Sequence, residues 1–268
     1  MARGLDHIVH AVRDLDAAAD TYRRLGFTVG ARNRHPWGTH NHIVQFPGFF
    51  IELLTVAEPE KLGSDGFSLL FGAYNRDFLK SAEGFSLLIL ESPDAAADEK
   101  AFRAVGIAGS EVMRFEREGR RPDGSAVKLG FSLAFAENKY APQIHFATCQ
   151  QHYPENFWNP AFQRHANGAS GILGAVAVAE NPDAHRDFME SFTGAAPKPI
   201  EEGFFIETAR GLIEVVTPAA FTRRYAVPAP AASRGARLAA LRLRTGEKPA
   251  IVGPKDAMGA ALIFEAGR

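Results

Sequence analysis

Three polar side chains stand where the sequence is otherwise apolar. Glu52 is the lone carboxylate in Phe49-Phe50-Ile51-Glu52-Leu53-Leu54. His145 is alone among Ile144, Phe146 and Ala147, and His7 lies in Leu5-Asp6-His7-Ile8-Val9. Burying a carboxylate costs on the order of several kcal/mol unless a cation or a hydrogen-bond donor meets it. Two chemistries answer that demand. One is a metal ion bound between strands; the other is a dry Glu52–His7 hydrogen-bonded pair. Strand alternation puts His7, Val9 and Ala11 on one face and Ile8, His10 and Val12 on the other. The helix-facing side should be apolar, so His7 faces away from the helices. His10 then needs a partner on the helix side.

The elements that must position these groups recur along the chain. Three stretches read as an apolar strand, a cap, a short amphipathic helix and then glycine. They are Leu5–Val12 with Asp14 and Gly26, Phe85–Leu90 with Ser92-Pro93-Asp94 and Gly106, and Ile172–Ala179 with Asn181-Pro182 and Gly194. Asp, Ser and Asn accept orphan N–H groups at helix starts, Pro needs no donor at the first helical position, and Gly suits the left-handed end. Strand-period segments come after each helix. In the first copy they are Phe27–Ala31, His42–Phe46 and Phe49–Val56. In the second they are Glu111–Arg117, Lys128–Ala136 and Gln143–Cys149, with a hairpin turn at Pro122-Asp123-Gly124. In the third they are Phe204–Thr208 and Leu212–Thr217. A worn fourth copy leaves Arg237–Arg244 and Ala260–Glu265. The unit is βαβββ and the fold class α+β. The expected division is residues 1–150 for units one and two, and 151–268 for a His- and aromatic-rich loop, unit three and the remnant of unit four. Glu214 repeats the position of Glu52 in unit three. No His accompanies it, so a structural pairing with Arg242 or Arg244 is expected.

The unit, carried by Leu5-Asp6-His7-Ile8-Val9-His10-Ala11-Val12 followed by Asp14-Leu15-Asp16-Ala17-Ala18, resembles the vicinal oxygen chelate superfamily. That superfamily holds glyoxalases, extradiol dioxygenases, epimerases and bleomycin-resistance proteins. His35-Pro36-Trp37-Gly38-Thr39-His40-Asn41 and Cys149-Gln150-Gln151-His152 bring it nearest to the bacterial glyoxalase-like domain branch. The resemblance implies that paired units curl into cupped mixed sheets around a divalent metal (Zn, Ni, Mn, Co or Fe) held from the first and fourth strands of each unit. Carried over, these positions fall on His7, Glu52 and His145. The fourth position, near Phe85-Ser86, offers no donor. The set left is two His and a carboxylate with open positions. Such an ion would bind adjacent oxygens of a small substrate, for isomerase, lyase or dioxygenase chemistry. Glu52 and the mouth histidines His40 and His152 are the candidate acid–base groups. Trp37, Asn41, Cys149, Gln150 and Trp158 are the candidate pocket lining. Cys149 reads either as a nucleophile or as a small buried hydrophobe. The rival reading is a metal-free protein that binds or sequesters a small ligand in the same cup.

Composition narrows the partners. The 268 residues carry Lys+Arg 30 against Asp+Glu 31, a net charge of −1, which gives no footprint for nucleic acid or an anionic membrane. The single cysteine excludes an internal disulfide framework. No apolar run is long enough to span a bilayer, and the N-terminus has no signal core. A cytoplasmic monomer or homodimer acting on a small molecule is expected. No Gly-rich phosphate loop, serine nucleophile elbow or metalloprotease helix motif is present.

Overall fold

The computed structural model describes residues 2–64, 66–120 and 124–266. The first half runs β1 (Leu5–Ala11), α1 (Leu15–Arg24), β2 (Asn33–Arg34), β3 (Thr39–Phe46) and β4 (Phe49–Val56). A π-helical turn, Ser68–Ala73, leads into α2 (Tyr74–Ser81). Then come β5 (Gly84–Glu91), α3 (Ala95–Ala104), β6 (Met113–Arg120), β7 (Ala126–Ala136), β8 (His145–Gln151) and α4 (Pro154–Phe157). The second half runs β9 (Ala169–Val178), α5 (Arg186–Thr193), β10 (Lys198–Ile200), β11 (Gly203–Glu207), β12 (Leu212–Val216), α6 (Pro218–Tyr225), β13 (Arg237–Thr245), β14 (Ala250–Val252) and β15 (Ala261–Ala266). Among the described residues no helix is long and apolar enough to cross a membrane.

Two sheets result. The first has eight strands in the order β2-β3-β4-β1-β5-β8-β7-β6, the second seven in the order β10-β11-β12-β9-β13-β15-β14. In each, two copies of the unit meet through their antiparallel first strands, β1 with β5 and β9 with β13. The fourth strand lies parallel to the first, β4 on β1, β8 on β5 and β12 on β9. One backbone bond recurs at the exit of each first strand: Val12 N–H to Leu54 at 2.9 Å, Ser92 to Cys149 at 3.0 Å, and Ala179 to Val216 at 3.0 Å. That bond fixes the register of the repeat.

The helices α1, α3 and α5 lie between the sheets. One apolar core there joins Ile8, Tyr22, Phe102, Phe146, Phe192, Leu238 and Phe264. The opposite faces curl into two cups. His10 belongs to the shared core and finds the partners it needs. Its Nδ1 accepts from Tyr22 Oη at 2.8 Å, and its Nε2–H donates to the Met258 carbonyl at 3.0 Å. Burial lowers its pKa to about 4 and holds it neutral.

The departures from expectation have local causes. Asp14 and Asp94 do cap their helices, accepting from Ala17 N at 2.9 Å and Ala96 N at 3.0 Å. Asn181 makes no such bond; a 3-10 turn, Pro182–His185, intervenes before α5. Phe27–Ala31 is not a strand. Phe27 N–H turns back to Tyr22, and the backbone bond from this stretch to β3 is Gly30 N–H to Ile43. Pro122 and Asp123 of the expected hairpin turn lie outside the described residues, though β6 and β7 pair as a hairpin from Arg120 and Ala126 outward.

Candidate active site

The cup of the first sheet surrounds a small cavity of about 50 Å³. His7 from β1, Asn41 from β3, Glu52 from β4 and Cys149 from β8 all line it. Rings from Trp37, Phe50, Phe71, Phe115, Phe131 and Phe157 make most of its wall. The alternation of β1 and β4 explains the first two groups, since Val9 pairs directly with Glu52 and His7 lies one step along the same face.

His7 is held on one side only. Its Nδ1–H donates to Asp6 Oδ1 at 2.5 Å, and Asp6 Oδ2 accepts from Gln151 Nε2 at 2.9 Å. The ring stacks on Phe50 with centroids 4.2 Å apart. Nε2 is left for the cavity. A carboxylate on the far nitrogen is how proteins orient a histidine that ligates or accepts a proton. Ligand atoms of Asp6, His7 and Cys149 lie within 4.8 Å of one another.

Glu52 is 5% exposed and accepts from Asn41 Nδ2 at 2.5 Å. Asn41 is positioned in turn by Asn33, whose amide donates to Asn41 Oδ1 at 2.9 Å. Burial raises the Glu52 pKa; His7, the Asn41 bond and the Arg117 charge oppose the rise. Burial likewise pushes the Cys149 thiol up, with Asp6 and Glu52 adding to it, so the group is a thiol rather than a thiolate. His35 bonds Thr39 Oγ1 at 2.8 Å, and its pKa falls to about 3, by burial first and then by the charges of Arg117 and His40. It is a neutral, stacked wall residue.

His145 does not join this group. Its Nδ1–H donates to the Leu70 carbonyl at 2.9 Å, and its ring lies flat on Tyr74 at 3.4 Å. The recurring exit bond gives the reason. Glu52 pairs with Val9, and the matching pair in unit two is Ala147 with Ile89. β8 begins only at His145, after the Pro142-Gln143 turn, so His145 falls two residues short of the Glu52 position. Leu87 holds the place of His7 in that unit. The symmetric positions of unit two therefore carry no donor.

Of the mouth histidines, His40 faces the helix side and bonds Glu58 at 3.0 Å, while His152 bonds Ser132 Oγ at 2.7 Å. Neither lines the cavity. Gln150 accepts from Ala95 N at 3.2 Å at the start of α3, and Trp158 lines a neighbouring groove instead. The group missed in the sequence is Arg117 on β6, which does line the cavity. Its signal was its face: Met113, Phe115 and Arg117 alternate along one strand, a cation in an aromatic row.

In the second cup, Glu214 pairs with Val176 as Glu52 does with Val9. There the carboxylate is consumed. Arg242 bonds it, Tyr225 Oη donates at 3.0 Å, and Arg224 stands at 3.5 Å. The helix α6 packs Ala220 and Phe221 onto Val176 and Val178, and an open groove of about 610 Å³ remains beside Glu214, Arg224, Tyr225 and Arg242.

The chain is similar to several solved structures. The crystal structure of a hypothetical protein from Staphylococcus aureus is 14% identical, with a TM-score of 0.73 covering 98% of this chain and 99% of that one. A mutant 4-hydroxymandelate synthase from Streptomyces coelicolor is 12% identical, with a TM-score of 0.55 over 92% of this chain and 72% of its own. A methylmalonyl-CoA epimerase variant from Streptomyces coelicolor is 19% identical over 57% of this chain and 96% of its own, at a TM-score of 0.39. No curated protein matches the sequence. The family model of the glyoxalase-like domain matches residues 5–193, and with paired βαβββ units, cupped sheets and a polar cluster in the first cup, the chain belongs to that family, within the vicinal oxygen chelate superfamily.

Proposed function

We propose that the chain is a glyoxalase-like enzyme whose active site is the first cup, moving a proton at a carbon next to an oxygen of a small substrate. The observation that carries this reading is Glu52. It is a lone carboxylate with a raised pKa in an aromatic cavity, held through Asn41 and facing an oriented histidine. A carboxylate so placed can accept a proton from a substrate and return it. Asn41 fixes the carboxylate plane. Asp6 and Gln151 fix the His7 ring, so Nε2 meets the substrate side without rotamer search.

The donor set fits a divalent ion from one side of the cup. His7 Nε2 has no partner among the described residues, and a ring nitrogen, a carboxylate and a sulfur that gives up its proton on metal binding suit zinc and its neighbours. His7, Cys149 and Asp6, whose ligand atoms lie within 4.8 Å of one another, would hold the ion; His145 would take no part. When bound, it supplies polarisation of the substrate oxygen. A second reading, a metal-free binding protein, is favoured by Leu87 and Ala147 at the symmetric donor positions.

The test is hydrogen–deuterium exchange at the carbon next to oxygen, read by NMR across a panel of small hydroxy and oxo acids, beside metal analysis of the purified protein. The expected result is exchange that Glu52→Gln abolishes and a divalent ion that His7→Ala loses. Exchange unchanged in Glu52→Gln would sink the enzyme reading. Absence of any divalent ion, with His7→Ala still binding ligand, would favour the metal-free reading.

A further inference from the structure

Arg117 sits where two spaces meet. Together with Ile43 and Phe157 it lines both the inner cavity and an outer groove of about 180 Å³. The three side chains form the neck between them. The outer groove is edged by amides, among them Asn33, Gln45 and Asn159. The inner chamber is walled mainly by rings.

The guanidinium at this neck has little to hold it. Among the described residues its hydrogen bond reaches the Glu118 carbonyl at 3.5 Å, too long to satisfy a planar fork of five donors. Glu52 favours its charge from across the cavity, yet no ion pair joins the two among the described residues. Burial works against that charge. The other basic groups of the lining do not compensate a second negative charge: His35 is neutral, and His7 is already bonded to Asp6.

From this juxtaposition we infer that the ligand is a planar, ring-bearing monocarboxylate, with its ring in the aromatic chamber and its carboxylate on Arg117 at the neck. The inference rests on reading the first cup as the ligand site, and it names the ligand class. Each part has its reason. Offset and edge-on ring contacts favour an aromatic body over a flexible chain. A guanidinium fork binds a carboxylate through two parallel bonds. One available cation matches one negative charge, not the two of a phosphate monoester. The chamber's carboxylate, Glu52, lies inward of Arg117. The anchored anion therefore stays on the groove side, and the opposite end of the ligand meets Glu52 and His7.

The test uses the full chain and three probes of one ring size: benzoate, benzyl alcohol and phenyl phosphate, titrated calorimetrically. Benzoate is expected to bind more tightly than either of the others. Arg117→Met should weaken benzoate at least tenfold and change benzyl alcohol less than twofold, and Arg117→Lys should recover part of the loss. Three results would overturn the inference: no benzoate binding to the wild type, an equal loss of both benzoate and benzyl alcohol in Arg117→Met, or phenyl phosphate binding more tightly than benzoate. The enzyme reading fails separately, through undiminished exchange in Glu52→Gln, and that result leaves the ranking of the three probes standing.

Discussion

Glu52 and Glu214 hold the same place in their two sheets, one paired with Val9 and the other with Val176, and only Glu214 is neutralised by arginine. The same position is the proposed reactive group in one cup and a structural tie in the other. Glu214→Gln should leave turnover unchanged. It should cost about 2 kcal/mol of stability, because Arg242, Arg224 and Tyr225 lose a shared acceptor while Arg242 keeps Glu265. Denaturant unfolding together with an activity assay checks both halves; a loss of turnover in this variant would break the asymmetry.

The Asp6–His7 bond should govern how well His7 serves as ligand or base. Asp6→Asn keeps the shape but removes the charge that fixes the protonated nitrogen of His7. Metal affinity or turnover should fall by about 10–100-fold, with the folded structure retained. Metal titration and steady-state kinetics measure it. Unchanged values would reduce Asp6 to a packing residue.

His145 should behave in the opposite way. His145→Phe keeps the stacking on Tyr74 and loses the bond to Leu70, at a cost of about 1 kcal/mol. Metal content and exchange activity should match the wild type. Loss of the ion in this variant would show that His145 swings into the cup.

Acid should unfold the protein early. His10 is buried between the sheets with its pKa lowered from 6.5 to about 4. Below pH 6.5 the unfolded chain takes up a proton that the folded chain refuses until about pH 4. Stability is therefore complete above 6.5 and falls as the pH drops through that window, by about 3 kcal/mol from His10 alone. Equilibrium unfolding at steps between pH 7 and pH 4 tests this, with His10→Asn expected to flatten the curve. A wild-type profile that is level across the range would rule it out.

Much of the fold was legible because its punctuation is local. Asp14 and Asp94 bond the helix ends they precede, and the glycines at 26, 106 and 194 all take positive φ. Asn181 shows the limit: the same residue class can open a 3-10 turn when the next residues pack differently. In the site, His7 and Glu52 were legible as polar groups in apolar strands. His145 carried the same signal, but a two-residue offset in where β8 starts moved it out of the cavity. That offset is set by the turn at Pro142 and by tertiary pairing, not by the composition of the strand. Arg117 was hard to see for a related reason. Nothing near it in sequence says that β6, at the edge of the sheet, wraps far enough to bring its face over Glu52.

The two cups differ in the connection that leaves the fourth strand. After β12 the chain turns at once into α6, whose Phe221 seats itself on the sheet. After β4 a longer path passes through the π-helical turn, and Phe71 becomes wall rather than filling. The second module thus seats a side chain of its own on the strand face that, in the first, looks toward the aromatic chamber, and its groove opens instead beside Glu214 and the arginines that neutralise it.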